Sequence, residues 1–458
     1  MSQDALSEFV ESMAQCLEVP GAAVGIWADN QEVYACYGVT NVENPLEVNQ
    51  HTLFVLGSVT KTYTATALMR LVAEGRVELD APVRRYVPEL ILEDEESAAK
   101  ITVLNLLNHT AGLDWRINVD TGEGDDALAR EVAKLAESKL IAPPGARASY
   151  SQAGYDLAGR IIEKVTGQTY ERAIASLLLH PLGMLHSFFA RDEVMTRRFS
   201  VGHNLDFDGK IQVARPWRHW RSDNPGAGLA SSVADQIRWA RFHLSLGHGE
   251  SGVRIVPAET LRRMKVPTVE LRSSSMGEAI GICWFLRDIG GVQTIGHGGS
   301  ANGQFANLLI VPERNFAVVA MANAGPDGGL AFNKAIEKWT LKHYLGVVEH
   351  DTVTLPYDKV RAIDFVGIYG NEMMTLTIRS DGDRLTIECR IRPEIRATTD
   401  SELPPDVPAA ELNLLAGKED AYILESGGLK GQRGFFTRNE DGAIVGVDLA
   451  GRLFKKIE

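Results

Sequence analysis

The most informative segment of this chain is Phe54-Val55-Leu56-Gly57-Ser58-Val59-Thr60-Lys61-Thr62-Tyr63-Thr64-Ala65. A short apolar run and Gly57 lead into Ser58, and the apolar residues between positions 65 and 72 predict a helix with a broad buried face. Ser58 and Lys61 are three residues apart, so on a helix they share one face, about one turn apart. A helix that begins at Ser58 would place its hydroxyl beside unpaired backbone N–H groups at the positive end of the helix dipole.

A lysine in this position can accept the serine proton, provided that burial or a neighbouring cation lowers the lysine pKa. Such a pair activates a serine without the usual histidine and carboxylate. The alternative is that Ser58 is an N-cap and Lys61 a surface lysine of the first turn. The same spacing recurs in Ser97-Ala98-Ala99-Lys100, but there it lies in an acidic run with no apolar strand before it. The surrounding sequence therefore favours Ser58 as the reactive serine.

Two more polar motifs follow along the chain. Tyr150-Ser151-Gln152 comes after Pro143-Pro144-Gly145 and before a helical pattern, and Gly296-His297-Gly298-Gly299-Ser300 ends a strand-like stretch. The order Ser-x-x-Lys, Tyr-x-Asn-like, His-x-Gly resembles the serine β-lactamase and penicillin-binding-protein superfamily, most of all its class C-like branch with D-aminopeptidases, alkaline D-peptidases and esterases. Three further segments are similar to landmarks of that family, namely residues 106–113, 181–184 and 226–232. The resemblance covers roughly residues 8 to 345.

The resemblance implies the catalytic roles. Ser58 would be the nucleophile of an acyl-enzyme that water hydrolyses, and Lys61 would lie between Ser58 and Tyr150 and keep a positive field on both. Tyr150 would be the general base. A phenol with an ordinary pKa of ~10 is a poor base at neutral pH, so nearby cations must favour the phenolate. A rim tyrosine that packs on the next helix is the other interpretation of Tyr150.

His297 stands where β-lactamases of this branch commonly have a lysine. A histidine can be neutral near pH 7, so it supplies a less constant charge to Tyr150 and to a substrate carboxylate. Within the resemblance, His-x-Gly goes with D-aminopeptidases and esterases more than with efficient β-lactamases. Gly298 and Gly299 would let a substrate backbone approach the strand edge. The backbone N–H groups of Ser58 and Ser300 would form the oxyanion hole.

Gln152 is a second departure, because the family usually has an asparagine there that bonds the acyl amide of the substrate. Glutamine keeps the amide but moves it by one methylene group. Gln152 is therefore expected to bind substrate or to point away from it.

The sequence predicts two domains. Residues 22–27 and 33–37 are expected to form two strands around the turn 28–31, helices dominate from about 58 to 190, and strands return at 279–285, 306–311 and 317–321 before a helix at 333–344. This order predicts an α/β fold, an antiparallel sheet with a helical insert, which matches the β-lactamase and transpeptidase-like sandwich of the superfamily. We expect residues 1–348 to form the hydrolase domain and residues 349–362 a linker.

Short alternating runs with Asp-Gly turns fill residues 363–458 and predict a small antiparallel β-barrel. It resembles the lipocalin-like tails of some D-peptidases. Residues 396–410, rich in Pro, Asp and Glu, are expected to be a long exposed loop. The role of the barrel stays open: it could stabilise the chain, mediate a homo-oligomer, cap the active-site mouth, or hold a small ligand of its own.

Charge and composition restrict the classes of partner that this chain is expected to bind. The net charge of -13 disfavours nucleic acid and anionic membranes. No metal-ligand spacing and no Gly-rich phosphate loop is present, so neither a metal nor another cofactor is expected. Four widely separated cysteines, Cys16, Cys36, Cys283 and Cys389, are expected to be free and buried. The first residues lack a basic start and an apolar core, and we therefore expect a cytoplasmic protein.

Two other segments contain residues that could be interpreted as functional. Arg215-Pro216-Trp217-Arg218-His219-Trp220-Arg221 could form a substrate-binding wall, or a surface loop with half-buried tryptophans. His109 is expected to order its loop by hydrogen bonds.

The main hypothesis is a serine hydrolase that acts through an acyl-enzyme on Ser58, with small D-amino-acid amides or peptides and short acyl esters as equally ranked substrates. A weak β-lactamase or penicillin-binding protein, and a catalytically poor ligand-binding module, are the alternatives.

Overall fold

The structure is a computed structural model that describes residues 3–114, 120–206, 208–217, 220–249, 252–349, 352–398 and 406–457. Its helices are α1 (Gln3–Cys16), α2 (Thr60–Ala73), α3 (Glu95–Ala98), α4 (Val103–Leu107), α5 (Ala127–Ala133), α6 (Ala153–Thr166), α7 (Tyr170–Ile174), α8 (Arg191–Met195), α9 (Asn224–Ala227), α10 (Val233–Leu244), α11 (Ala258–Met264), α12 (Pro326–Leu345), α13 (Lys359–Phe365) and α14 (Pro393–Thr398).

The strands of the catalytic domain are β1 (Gly21–Ala28), β2 (Gln31–Gly38), β3 (Phe54–Val55), β4 (Ser187–Phe188), β5 (His203–Leu205), β6 (Ile211–Val213), β7 (Ala230–Ser231), β8 (Val269–Ser274), β9 (Gly277–Ile280), β10 (Phe285–Ile289), β11 (Val292–Ala301), β12 (Gln304–Val311) and β13 (Phe316–Ala322). Those of the C-terminal domain are β14 (Gly367–Gly370), β15 (Met374–Ser380), β16 (Leu385–Ile391), β17 (Val407–Leu414), β18 (Ala421–Leu424), β19 (Arg433–Arg438), β20 (Ile444–Leu449) and β21 (Arg452–Lys456).

The catalytic domain is built on an eight-stranded antiparallel sheet in the order β2-β1-β13-β12-β11-β10-β9-β8. Neighbouring side chains point to opposite faces, so Ala23 joins the core under α2, α6 and α10, while Val24 joins a second core under α1 and α12. The predicted α/β sandwich with a helical insert is confirmed.

The hairpin between β1 and β2 turns at Asp29 and Asn30, whose φ angles are +51° and +59°. A two-residue turn with positive φ at both positions matches the right-handed twist of the strands, and Asp and Asn tolerate it well. The turn predicted there is confirmed.

The run 279–285 was expected to be one strand, and this prediction is wrong. β9 ends at Ile280 and β10 begins at Phe285, with a tight turn between them in which Gly281 N donates to Trp284 O and Cys283 has a φ of +74°. The residues of this turn are buried and apolar in character. The hydrophobicity pattern therefore does not distinguish the turn from the strands on either side of it.

A three-stranded sheet, in the order β3-β7-β4, anchors the segment that carries Ser58. Leu56 N donates to Leu229 O at 2.9 Å, directly before β7. Val55 N donates to the side-chain Oε1 of Gln304, a buried residue of the large sheet. The start of α2 is thereby tied to both sheets.

The C-terminal domain is a closed barrel of eight antiparallel strands, β14 to β21 in chain order. Leu376, Ile387, Tyr422 and Phe436 fill its core. The predicted barrel is confirmed. The boundaries predicted for the two domains and the linker stay a prediction, and α13 begins within the stretch interpreted as the linker.

The prediction of a long exposed loop at residues 396–410 is wrong at both ends of this range. Residues up to Thr398 belong to α14, and β17 begins at Val407 and buries Ala410 in the barrel core. Residues 399–405 of this prediction lie outside the described residues.

Cys283 and Cys389 are buried, whereas Cys16 and Cys36 are exposed, so the expectation of buried thiols is wrong for two of the four cysteines. All four are free. Within the described part of the chain, no helix has both the length and the apolar character needed to cross a membrane.

Candidate active site

Ser58 lies in a single 3₁₀ turn, Gly57–Val59, that leads into α2. Gly57 has a φ of +54°, and a Cβ added to it would lie 2.3 Å from the carbonyl oxygen of Ser300 on β11. Only glycine meets both demands, the left-handed backbone and the close approach. The turn thus brings the backbone of Ser58 against the end of β11.

Lys61 is fully buried in the first turn of α2. Its Nζ donates to Ser58 Oγ at 3.3 Å, to Gln152 Oε1 at 2.8 Å and to the carbonyl oxygen of Gly226 at 3.0 Å. These three acceptors use the three donors of an ammonium group. The interpretation of Lys61 as a surface lysine is therefore excluded.

The second Ser-x-x-Lys segment has a different environment. Lys100 forms an ion pair with Glu96 at 2.7 Å, and its side chain is 63% exposed. Ser97 lies in the short helix α3 and donates its backbone N–H to the cap Asp94. No buried acceptor is described around Lys100, so the sequence context distinguishes the two segments correctly.

Tyr150 is 6% exposed and lies just before α6. The Lys61 Nζ is 5.0 Å from the centroid of its ring, and the His109 ring lies on it at 4.4 Å. The His297 ring is 6.3 Å away. The structure therefore brings together Ser58, Lys61, Tyr150 and His297, which are spread over 240 residues of sequence.

His297 is buried on β11, where one ring nitrogen, Nδ1, contacts the carbonyl oxygen of Gly298 at 2.6 Å. Burial, and secondly the charge of Lys61, lower the pKa of His297 to about 3. The imidazole is therefore neutral at physiological pH. The positive charge that a lysine would carry here is absent from this position.

Gly298, Gly299 and Ser300 form the exposed end of β11 beside the Ser58 turn. A Cβ on Gly299 would lie 2.0 Å from Leu56 O and 2.9 Å from Ser58 N, so the strand backbone lies directly against the turn. A Cβ on Gly298 would meet no atom within 4 Å. The open side of Gly298 is the one compatible with an approaching substrate.

Gln152 bonds to the protein with both ends of its amide. Its Oε1 accepts from Lys61, and its Nε2 donates to Asp156 Oδ1 at 3.1 Å. In this arrangement the longer side chain holds Lys61 in place. A direct role in substrate binding stays a prediction.

His109 orders the loop that follows α4. Its carbonyl oxygen accepts from Ser149 N and its Nδ1 accepts from Ser151 N at 3.2 Å. Burial and the charge of Lys61 hold the pKa of His109 well below its ordinary value. A neutral ring then fits the acceptor role of Nδ1.

The Trp-rich segment lies outside this cluster. Trp217 Nε1 donates to Ser200 O, and its half-buried ring packs on Phe199. Arg221 pairs with Glu171 and Asp125. Arg218 and His219 lie outside the described residues.

Arg452 of the barrel also reaches the site, and sequence reasoning missed it. Its guanidinium carbon is 5.1 Å from the centroid of the Tyr150 ring. The residue follows a Gly-containing turn 302 positions after Tyr150, and no motif marks it. Only the docking of the barrel brings it here.

Comparison with known proteins supports the same family. Residues 9–338 match the family model described as Beta-lactamase. Penicillin-binding protein 4 of Amycolatopsis lactamdurans is 34% identical over 310 residues, which are 67% of this chain and 81% of that protein.

Two solved structures match the barrel as well. The crystal structure of SurE with D-Leu superposes with a TM-score of 0.75 at 25% identity and covers 99% of both chains. The octameric penicillin-binding protein homologue from Pyrococcus abyssi gives a TM-score of 0.66 at 25% identity, covering 99% of this chain and 100% of that one. The chain therefore belongs to the β-lactamase and penicillin-binding-protein family of serine hydrolases, with a closed eight-stranded barrel at its C-terminus.

Proposed function

We propose that the chain hydrolyses small amides, peptides and esters of D-amino acids through an acyl-enzyme on Ser58. The observation that carries this proposal is the buried Lys61, whose Nζ is 3.3 Å from Ser58 Oγ. A buried ammonium costs several kcal/mol of desolvation, and a purely structural site has no need of it next to a serine.

In the proposed reaction, Ser58 Oγ attacks the substrate carbonyl and its proton passes to Tyr150. The backbone N–H groups of Ser58 and Ser300 stabilise the oxyanion, an effect worth ~3 kcal/mol for each donor. The proton then moves from Tyr150 to the leaving amine or alcohol. Water attacks the acyl-enzyme by the same route and regenerates Ser58.

The full-length likeness to SurE, whose structure was solved with D-Leu, supports a D-configured substrate. Neutral His297 argues against efficient β-lactam hydrolysis, because no cation stands at that position to bind the carboxylate of a penicillin. The proposal includes a small-molecule substrate and no nucleic-acid or membrane partner. It also includes a cytoplasmic location.

A homo-oligomer is proposed as well, supported by the octameric homologue that matches the whole chain. Sedimentation analysis of the full chain would test it, and a monomer at every concentration would contradict it.

The test of the substrate class uses D- and L-leucine p-nitroanilides and methyl esters as matched pairs. We expect turnover of the D-enantiomers that falls at least ~10³-fold in Ser58→Ala. A preference for the L-enantiomers would overturn the stereochemistry, and equal turnover by wild type and Ser58→Ala would overturn the acyl-enzyme.

A further inference from the structure

The barrel places a hairpin on the catalytic centre. The tip between β20 and β21 is Ala450-Gly451, and Gly451 O accepts the backbone N–H of Tyr150 at 2.8 Å. Leu453 N donates to Ser149 Oγ at 3.3 Å. A residue of the barrel therefore binds the main chain of the tyrosine itself.

A second contact runs in the opposite direction. Arg147, three residues before Tyr150, enters the barrel, where its Nη1 donates to Thr437 Oγ1 at 3.0 Å. Its Nη2 is 3.8 Å from the carboxylate of Asp448, at the end of β20. Each domain thus places one arginine against the other: Arg147 enters the barrel, and Arg452 approaches Tyr150. These contacts fix the hairpin at the site.

Both cationic and neutral titratable groups surround Tyr150. Among the residues that the structure describes, the titratable and charged groups that face it are Lys61 on α2, His109 after α4, Tyr155 on α6, His297 on β11 and Arg452 on β21. Both histidines have pKa values well below their ordinary value, so they are neutral. Lys61 and Arg452 are the cations of this group.

We propose that Arg452 is an electrostatic positioning residue that favours the phenolate of Tyr150, and that the barrel thereby supplies the second cation that neutral His297 does not. This inference rests on the proposed function, because it assigns the proton acceptor of that reaction to Tyr150. A guanidinium keeps its charge at every relevant pH and, at 5.1 Å from the ring centroid, lies within the range where an opposite charge favours ionisation.

Burial lowers the pKa of Arg452, and the ionised forms of Tyr150, Asp448, Asp114 and Cys389 act in the opposite direction. The coupling between Arg452 and Tyr150 is thus favourable when both are ionised. The same arginine contributes, after burial and the charge of Lys61, to the low pKa of His109. Its field therefore extends across the cluster.

The experiment uses the full chain and a neutral ester, p-nitrophenyl acetate, so that no substrate carboxylate can bind Arg452. Arg452→Met should lower kcat/KM at neutral pH by about 10-fold and move the alkaline rise of the pH profile up by about one unit. Arg452→Lys should stay within about 3-fold of wild type because it keeps the charge. Arg384→Met, at an exposed pair on a hairpin at the other end of the barrel, is the matched control and should leave the profile unchanged.

His297→Lys in the Arg452→Met background should restore part of the rate by returning a cation to β11. If Arg452→Met does not fold, Arg452→Gln takes its place. A profile of Arg452→Met or Arg452→Gln that superimposes on wild type would overturn the proposal. So would an equal loss in Arg452→Lys, which would indicate a merely structural role.

A second readout does not depend on turnover. NMR titration of isotope-labelled tyrosine, with Tyr150→Phe to assign the resonance, should show Tyr150 losing its proton at higher pH in Arg452→Met than in wild type. No displacement would contradict the inference. Absence of any Ser58-dependent turnover in wild type would instead contradict the proposed function, and the NMR result would still test the role of Arg452.

Discussion

The buried Ser58–Lys61 pair is the chemical centre of the molecule at the scale of single residues. The three acceptors around Lys61 Nζ, one of them Ser58 Oγ, fix the ammonium in a position from which it can act on the serine. Lys61→Met should therefore leave Gln152 Oε1 and Gly226 O without a donor and cost ~1–3 kcal/mol of stability for each.

We expect Lys61→Met to lower the rate of Ser58 acylation by ~10³-fold or more at neutral pH. Rapid-mixing mass spectrometry with p-nitrophenyl acetate measures this rate. Lys100→Met, the lysine of the second Ser-x-x-Lys segment, is the control and should acylate like wild type. Acylation of Lys61→Met at the wild-type rate would show that the lysine is not needed.

The neutral His297 predicts an acid sensitivity of the fold. Its pKa is about 3 in the folded chain and ~6.5 when unfolded, so between these values only the unfolded chain binds the proton. This contribution to stability is complete above pH ~6.5 and is lost as the pH falls towards 3, up to ~5 kcal/mol. His297→Asn should lose less stability than wild type over this range, as measured by urea unfolding at a series of pH values. Equal losses in the two proteins would contradict the prediction.

At the scale of elements, the contact between the Ser58 turn and β11 sets the geometry of the site. Gly299→Ala would force a Cβ to within 2.0 Å of Leu56 O, so the strand and the turn must separate. A displacement of about 1 Å in a catalytic group can cost ~10²-fold in rate, and we expect at least this loss of kcat/KM. Gly298→Ala, whose Cβ meets no atom within 4 Å, should keep the thermal stability of wild type. Equal stability and equal rates in Gly299→Ala and wild type would show that the contact is not needed.

The elements with strong local patterns could be predicted from the sequence. The β1–β2 hairpin, the long helix α12 and the Asp-Gly hairpin between β15 and β16 follow from alternation, periodicity and turn residues. β17 could not be predicted, because Pro408, Ala409 and Ala410 are poor strand formers that the closed barrel nevertheless pairs. The turn between β9 and β10 was hidden because its residues are as buried as the strands around it.

The residues of the site also divide into those that the sequence predicts and those that it does not. Ser58, Lys61 and Tyr150 lie in motifs with a local pattern, whereas Arg452 contacts Tyr150 only because a separate domain docks on the first. Gln152 was expected to contact substrate or to point away, but its contacts to Lys61 and Asp156 depend on the packing of α6 against α2. Tertiary contacts of this kind leave no trace in sequence spacing.

At the scale of the whole molecule, the contact between the two domains contains a buried carboxyl group. Burial raises the pKa of Asp448 to about 7, and Arg147 opposes this shift. Between its ordinary value of ~4 and this value, the folded chain binds a proton that the unfolded chain releases, so stability falls as the pH rises through this range.

Asp448→Asn cannot release that proton. We expect its stability to fall less than that of wild type between pH ~4 and ~7, as measured by thermal unfolding in matched buffers. Asp441→Asn, in the exposed turn between β19 and β20, is the control and should follow wild type. A parallel fall in Asp448→Asn and wild type would show that this carboxyl group does not titrate in the folded chain.

The proposed function depends most directly on the formation of an acyl-enzyme on Ser58. The most direct test is intact-protein mass spectrometry after brief mixing with p-nitrophenyl acetate, followed by peptide mapping. We expect an added acetyl group on the peptide that contains Ser58, absent from Ser58→Ala and retained in Ser97→Ala. An adduct elsewhere, or the same adduct in Ser58→Ala, would contradict it.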